Sequence, residues 1–507
     1  MINTKIIRDF VSNLSNRYNQ WILSMGLFKL ALLIFLISSI VKIIAAFTSI
    51  APIYPDEVMQ TVEVAHRYAF GTGSLPWEFV QGVRSVVFPK LISYFYLFFD
   101  AAGISGGLGI NIALKVVLGL LHGIGAVFVF LIIAGRIGAS LGFLFGCLYS
   151  LHYLSAYIAV RTLTESVAIP FLIAALFFAD RFVSRERGRY ALLAGIMCGI
   201  ALMLRLQTAV FSAGLFLGVL VAARRRWSGA GWFFAGSFIL VLIQGAVDFV
   251  SWGSFFHSAR SYISSDTFRG VASLPDVLPA SFYIKRIFND LPIIEVCGAF
   301  VFSILAFRSR RDLLLVIPTL LFMLFHLITP LKQVRFIFPV YVLIPMYAYL
   351  LCGIYMRFSP NIMKSVLITI LLLVSLVQGF LFFYPQWDSS QYSDPCERHV
   401  PVHEYVRISA LMGNISDISQ GYIMGLHSKF SGGYAYFHKH GARIDSYGEP
   451  EKFKGGHEVL RREIQNKRDG VYVAIRKWYD SSYTEFSPYL IPYMETKEYR
   501  IYKFSAK

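Results

Sequence analysis

Apolar runs of about bilayer length recur between residues 27 and 384, separated by short basic loops. They lie near 27–47, 110–134, 137–157, 165–181, 190–204, 207–223, 230–248, 291–307, 313–330, 336–355 and 365–384. The loops between them carry Arg136; Arg181, Arg185, Arg187 and Arg189; Arg224, Arg225 and Arg226; Arg308, Arg310 and Arg311; and Arg357 with Lys364. Basic loops stay in the cytoplasm, so each interval between neighbouring loops must hold an even number of crossings. That parity leaves one apolar stretch surplus, "VVFPKLISYFYLFFDAAG" (86–103), which carries Pro89 and Lys90 and is rich in aromatics. It reads as an interfacial or re-entrant helix on the outer face. The pattern therefore predicts about eleven spans, with the N-terminus inside and the C-terminus outside.

The ends of the chain differ from its middle. Residues 1–25 are amphipathic, with Ile6, Phe10, Leu14 and Trp21 on one side, which predicts a helix on the cytoplasmic membrane surface. The run that follows is too long for the apolar core of a cleavable signal. From 385 to 507 the pattern turns to short alternating strands such as "GVYVAIRKWY" and "EYRIYKF", with a helix near 457–467. The expected fold class is an all-α polytopic membrane protein over 26–384, with large outer loops at 49–108 and 249–290. A small extracytoplasmic α/β domain over 385–507 completes it.

Composition narrows the function. The 507 residues are 56% hydrophobic and 15% charged, against about 25% charged in soluble domains. The net charge of +17 sits in the short loops, which excludes a nucleic-acid reading. Five cysteines (Cys147, Cys198, Cys297, Cys352, Cys396) show no CxxC spacing and imply no disulfide framework. No internal repeat is visible, which argues against a transporter built from two halves. There is no Walker or dinucleotide-type glycine pattern, which disfavours a nucleotide-sugar donor. His438 and His440 form an "HKH" in the tail with no acids at ligand spacing, so neither metal nor cofactor is expected.

Ionisable residues at membrane depth are costly and mark function. Asp56, Glu57, Arg84, Arg161, Glu165, Arg205, Asp248, His257, His326, Lys332 and Arg335 come from separate stretches, yet the topology puts them all on the outer side. Guanidiniums match phosphate oxygens in pairs, and a carboxylate facing them suits a general base. In the first outer loop Pro55 fits a first helical position, and Asp56 and Glu57 then fall in the first turn, where the helix dipole favours negative charge. Read alone, this is also how an ordinary helix start looks.

Several separated motifs resemble the lipid-linked-sugar-dependent mannosyltransferases of glycosyltransferase family 22, which have the GT-C membrane fold. They are "YPDEVMQ" (54–60), "PWEF" (76–79), "RSVVFP" (84–89), "RTLTES" (161–166), "RLQTAV" (205–210), "DFVSWGSFF" (248–256) and "HLITPLKQVRFIFPVYVLIP" (326–345). The resemblance covers residues 26–355 in order. It departs at Tyr54, where the family has His, and at Leu331 and Gln333, which replace the His and Glu flanking Lys332.

The resemblance implies an inverting transfer of mannose from a polyprenyl-phosphate donor to a hydroxyl of a glycan or lipid-linked glycan, in the membrane and without a metal. Another polyprenyl-phosphate sugar, delivered to lipid A, a protein or a cell-wall polymer, is the alternative. Asp56 would be the base. Lys332 and Arg335, with Arg161 and Arg205, would bind the phosphate. Glu57, Gln60, Trp77, Glu78, Arg84, Glu165, Asp248, His257, His326 and Gln333 are the further expected substrate contacts. A prokaryotic cell membrane, with the site on its outer face, is the expected location.

Overall fold

The computed structural model describes residues 4–104, 106–222, 227–266, 277–358, 369–374, 376–377, 402–426, 428–448 and 455–505. Helices stand at ten of the eleven expected span positions; the eleventh, 365–384, lies largely outside the described residues. The first, Thr4–Thr48, breaks at Gly26, whose φ of 69° is open to glycine without strain. That break falls where the surface segment was expected to end.

Length separates two kinds of helix. Among the described residues, six are long and apolar enough to cross a membrane: Arg17–Thr48, Gly107–Ile137, Thr164–Arg185, Trp227–Trp252, Arg310–Ile328 and Val334–Met356. A seventh crossing would be the pair Ala139–Leu151 and Tyr153–Ala159, bent by 57°. Gly188–Leu204, Thr208–Ala222 and Ile293–Leu305 are shorter. At 1.5 Å per residue they reach only about 20–25 Å of a hydrocarbon core about 30 Å thick. Length therefore supports fewer full crossings than eleven, with short apolar helices packed among the long ones. The surplus stretch forms a helix of 15 residues, Val87–Ala101, with Phe88, Ile92, Tyr96 and Phe99 buried and Leu91, Tyr94 and Phe98 exposed.

Small residues set a close helix contact. Gly195 and Gly236 face each other's helix backbones, and a Cβ on either would overlap the opposite chain. Where lipid rather than water is the solvent, such close approach drives association.

Two charged clusters mark opposite ends of the bundle. At one end Asp180 receives Arg136 at 2.7 Å and the fork of Arg311 in two bonds of 2.7 Å, and Arg136 also pairs with Asp312. Three of the basic loops thus meet, as a common face requires. At the other end of the Thr164–Arg185 helix stands Glu165, fifteen residues and about 22 Å from Asp180.

The tail is a five-stranded sheet ordered β2-β1-β3-β5-β4. Its strands are β1 (Gln420–Met424), β2 (Arg443–Tyr447), β3 (Val471–Arg476), β4 (Leu490–Glu495) and β5 (Tyr499–Phe504). β1 pairs in parallel with β2 and β3, while β5 runs antiparallel to β3 and β4. Central β3 is buried along its whole length, the helix Gly455–Asn466 packing beside it. The tail docks on the first outer loop. Glu63 accepts from Ser74 N (2.8 Å) and Ala435 N (2.7 Å), and Asn111 donates to Ala435 O at 2.9 Å.

Removing Asp180 takes the carboxylate that joins Arg136 and Arg311, leaving Arg136 only Asp312, so Asp180→Ala is expected to cost about 3 kcal/mol; a thermal melt of the detergent-solubilised protein reads it as a clear fall in Tm. Burial pushes the Glu63 carboxyl up from its ordinary 4.5 to about 7. The folded protein therefore holds an extra proton there, and the stability this contributes is full below about pH 4.5 and lost as pH rises through 7. The Tm difference between wild type and Glu63→Gln should accordingly shift in favour of the variant across that window.

Candidate active site

Asp56 and Glu57 are neighbours with opposite surroundings. They open the short helix Pro55–Glu57, which widens into a π turn, Val58–Val62, before continuing as Glu63–Phe70. Such widened turns concentrate at functional sites. The Glu57 side chain is 1% exposed and that of Asp56 24%. Glu57 accepts from Ile53 N (2.8 Å), Tyr54 N (3.2 Å) and Thr162 N (3.2 Å), and faces Arg161 at 3.5 Å. It closes its own helix start and fastens it to the turn before Thr164. Asp56 points the other way and pairs with Arg335.

From Asp56 a chain of charge runs through four elements. Arg335 sits in the 3₁₀ turn Val334–Ile337, where Gln333 Oε1 accepts from its Nε at 2.7 Å. Its Nε also lies 3.7 Å from Glu165, which meets Arg205 at 3.1 Å. Arg205 occupies the extended residue that ends Gly188–Leu204. The Phe336 ring lies between the two cations, 5.2 Å from Arg205 and 5.3 Å from Arg335, and Tyr54 faces Arg335 at 5.7 Å. Cation–π contact of this kind holds a guanidinium without neutralising it. Tyr54, the departure from the family pattern, thus serves as a seat for Arg335.

Beside this chain is a cavity of about 260 Å³ lined by Gln60, Arg84, Glu165, Arg205, Gln207 and Tyr262, among others. Arg84 lies over the Tyr262 ring at 5.4 Å, and its Nε is buried with no hydrogen-bond partner. Among the described residues no carboxylate comes within ion-pair distance of it. Counting Arg84, Arg205 and Arg335 against Asp56 and Glu165, three cations face two carboxylates. The surplus positive charge belongs to the wall that Arg84 forms, and such a wall favours an anion.

Several expected substrate contacts are instead internal. Arg161 is 0% exposed and bonded to Ser49, to Ala51 O (3.2 Å) and to Tyr157 O (3.3 Å), so its guanidinium is engaged by the framework. Lys332 donates to the carbonyls of His326 (3.3 Å), Leu327 (3.1 Å) and Thr329, which end the Arg310–Ile328 helix. A lysine there answers the negative end of the helix dipole, a role the sequence did not suggest beside the expected phosphate contact. Asp248 accepts from Ser258 N (2.9 Å) and Oγ (2.7 Å) and from Gln244 (2.8 Å), holding the second outer loop. Glu57 belongs with these three.

The remaining candidates lie around the cavity or at its margin. Gln60 donates to Glu78 at 3.0 Å. His326 lines a narrow cleft with Glu165 and Arg205, its Nδ1 bonded to Phe322 O at 2.8 Å. His257 stacks on Trp252 at 5.9 Å, and Trp77 is 52% exposed. Gln207 and Tyr262, hydrogen-bonded to each other across the cavity wall, were not expected from the sequence. Gln207 stands two residues from Arg205, whereas Tyr262 lies in the helix His257–Asp266, which carries no local signal. The sequence reading also set aside "HKH" for want of an acid. The fold supplies one, Asp100, 338 residues away from His438.

Comparison with known proteins bears on the family and the fold. The sequence model of the Alg9-like mannosyltransferase family matches residues 33–386. GPI mannosyltransferase 3 of Candida albicans is 23% identical over 317 residues, 62% of this chain and 62% of its own. That of Yarrowia lipolytica is 25% identical over 307 residues, 59% of this chain and 58% of its own. The chain thus spans about three-fifths of the length of these curated relatives. Among solved structures, ArnT from Cupriavidus metallidurans bound to undecaprenyl phosphate superposes with a TM-score of 0.58 at 12% identity, covering 93% of this chain and 97% of its own. That likeness establishes the GT-C fold.

Two substitutions separate framework from site. Glu57→Gln strips the charge facing buried Arg161 and is expected to cost about 3 kcal/mol, seen as a lower Tm. Arg84→Gln breaks no ion pair and should leave the Tm within about 2 °C of wild type. Equal losses in the two melts would show that Arg84 is framework as well.

Proposed function

The chain belongs to the Alg9-like mannosyltransferase family, and from that premise we propose that it is an integral membrane enzyme transferring mannose from a polyprenyl-phosphate donor to a hydroxyl of a glycan or glycolipid. The single observation that carries the site assignment is Arg84, a half-buried cation that lines the cavity with its Nε buried and unbonded and no carboxylate within ion-pair distance among the described residues, beside the Asp56–Arg335 pair. The ArnT fold neighbour is described as bound to undecaprenyl phosphate, which supports a lipid phosphate as the anion. The basic loops at the opposite end of the bundle support an extracytoplasmic site by the positive-inside rule.

The chemistry follows from charge. Asp56 accepts the proton of the acceptor hydroxyl while that oxygen attacks the sugar C1. The C1–O bond to phosphate breaks with inversion, and its electron pair leaves on the polyprenyl phosphate. That leaving group needs charge stabilisation rather than a proton, so no second acid is required, unlike glycoside hydrolysis. Arg84 and Arg205 supply the stabilisation, acting in a site where little water competes. Arg335 orients Asp56, and Gln333 and Tyr54 hold Arg335.

With purified protein, polyprenyl-phosphate mannose and a glycolipid acceptor, Asp56→Asn should lower kcat by about 10²–10⁴-fold, with the donor KM little changed. Arg84→Ala should raise the donor KM and lower kcat/KM by about 10²-fold. Full activity in Asp56→Asn would remove it as the base. A donor panel in which another polyprenyl-phosphate sugar outruns mannose would move the enzyme to the alternative substrate class.

A further inference from the structure

Away from the cavity, the tail and the first outer loop meet at a cluster of imidazoles. His438 and His440 from the tail and Asp100 from the end of Val87–Ala101 present ligand atoms that all lie within 4.8 Å of one another. His66 from Glu63–Phe70 stands directly behind His438, its Nε2 3.1 Å from His438 Nδ1. Phe70 packs on the rings of both tail histidines, at 4.8 and 5.3 Å.

Proton counting decides what the cluster needs. His66 Nδ1 lies 2.5 Å from Thr72 O, and a carbonyl has no proton, so Nδ1 is the donor. His66 is buried, which favours the neutral ring and leaves its Nε2 bare. His438 Nδ1 must then donate to that Nε2. The neutral tautomer this selects has a bare Nε2, yet that atom faces Asp100 Oδ1 at 3.4 Å. A lone pair aimed at a carboxylate is repulsive unless a cation joins them. A second proton on His438 is one solution, and a metal cation shared with Asp100 and the nearby His440 is the other. His438 also sits in the left-handed region at φ 39°, an uncommon backbone state for a residue with a side chain and one that gathers at functional positions.

We propose that His438, His440 and Asp100 bind a divalent cation of the zinc class, with His66 fixing the His438 tautomer from behind. Two imidazoles and one carboxylate suit zinc, and a water would complete the tetrahedron. Bonds of about 2.1 Å in a tetrahedron set ligand atoms about 3.4 Å apart, so the cluster must tighten. Asp100, whose side chain is 37% exposed, has the freedom to move. The relay from Thr72 O through His66 to His438 is the outer-shell hydrogen bonding that zinc-bound histidines use. The cation would staple the tail to two elements of the loop whose helix begins at Asp56. It is a tether apart from the transfer chemistry, so it stands or falls separately from the proposed activity.

The test is titration of the full-length, detergent-solubilised protein with Co²⁺ after chelator treatment. The expected result is one equivalent bound with the visible absorption of tetrahedral Co²⁺, displaced by Zn²⁺, and a Tm raised by Zn²⁺ and lowered by chelator. His440→Ala should abolish the absorption while its Tm in chelator matches wild type. His66→Ala, which removes no ligand, should weaken binding about 10–100-fold. Should a histidine variant misfold, Asp100→Asn provides the same reading with nearly unchanged size. Substoichiometric Co²⁺ in the wild type, or undiminished binding in Asp100→Asn and His440→Ala, would overturn the site and leave His438 as an imidazolium paired with Asp100.

Discussion

A charge taken out of water must find another charge, and the site end of this protein is arranged around that demand. Arg335 answers it twice, to Asp56 and to Glu165, and Glu165 passes the same requirement on to Arg205. Each link comes from a different part of the chain: the first loop, the start of one span, the end of a shorter apolar helix, and the turn before another span. No member can leave without exposing a partner to a low-dielectric surrounding, where an unpaired ion costs several kcal/mol. The chain of pairs therefore fixes how four elements meet, and the aromatic seats of Tyr54 and Phe336 fix where the cations stand.

The same constraint explains the division of labour between neighbours. Glu57 and Arg161 are both almost fully buried and satisfied by backbone groups and by each other, so they hold the loop to the bundle. Asp56, one residue earlier, keeps one face open. Arg84 keeps its charge without a carboxylate and borders the cavity. Framework and chemistry are thus separated by which charges are already balanced. An anionic substrate balances the remainder.

The bundle carries this arrangement at one end and a second ion network at the other. Asp180 gathers Arg136 and Arg311, so loops far apart in sequence are held on one face. The tail, through Glu63, Asn111 and the imidazole cluster, closes over the first loop rather than hanging free. A loop that must present a base at a defined position gains rigidity from being held on both sides.

Periodicity and composition alone determined the membrane class, the positions of the helices, the common face of the basic loops and the strand character of the tail. These depend on local hydrophobicity and on charge counted over short windows, which a linear chain displays directly. The ordered motifs likewise marked Asp56, Arg84, Arg205 and Arg335. Which charges pair was not legible. Lys332 also closes a helix end, because the turn after Ile328 folds its ammonium back onto the last carbonyls of that helix. Arg161 is likewise engaged, by partners from residues 49–57. Asp100 reached His438 across 338 residues, a distance at which no spacing rule operates. Pairing in a low dielectric is decided by which groups the packed helices bring within about 4 Å. Only the tertiary structure sets that.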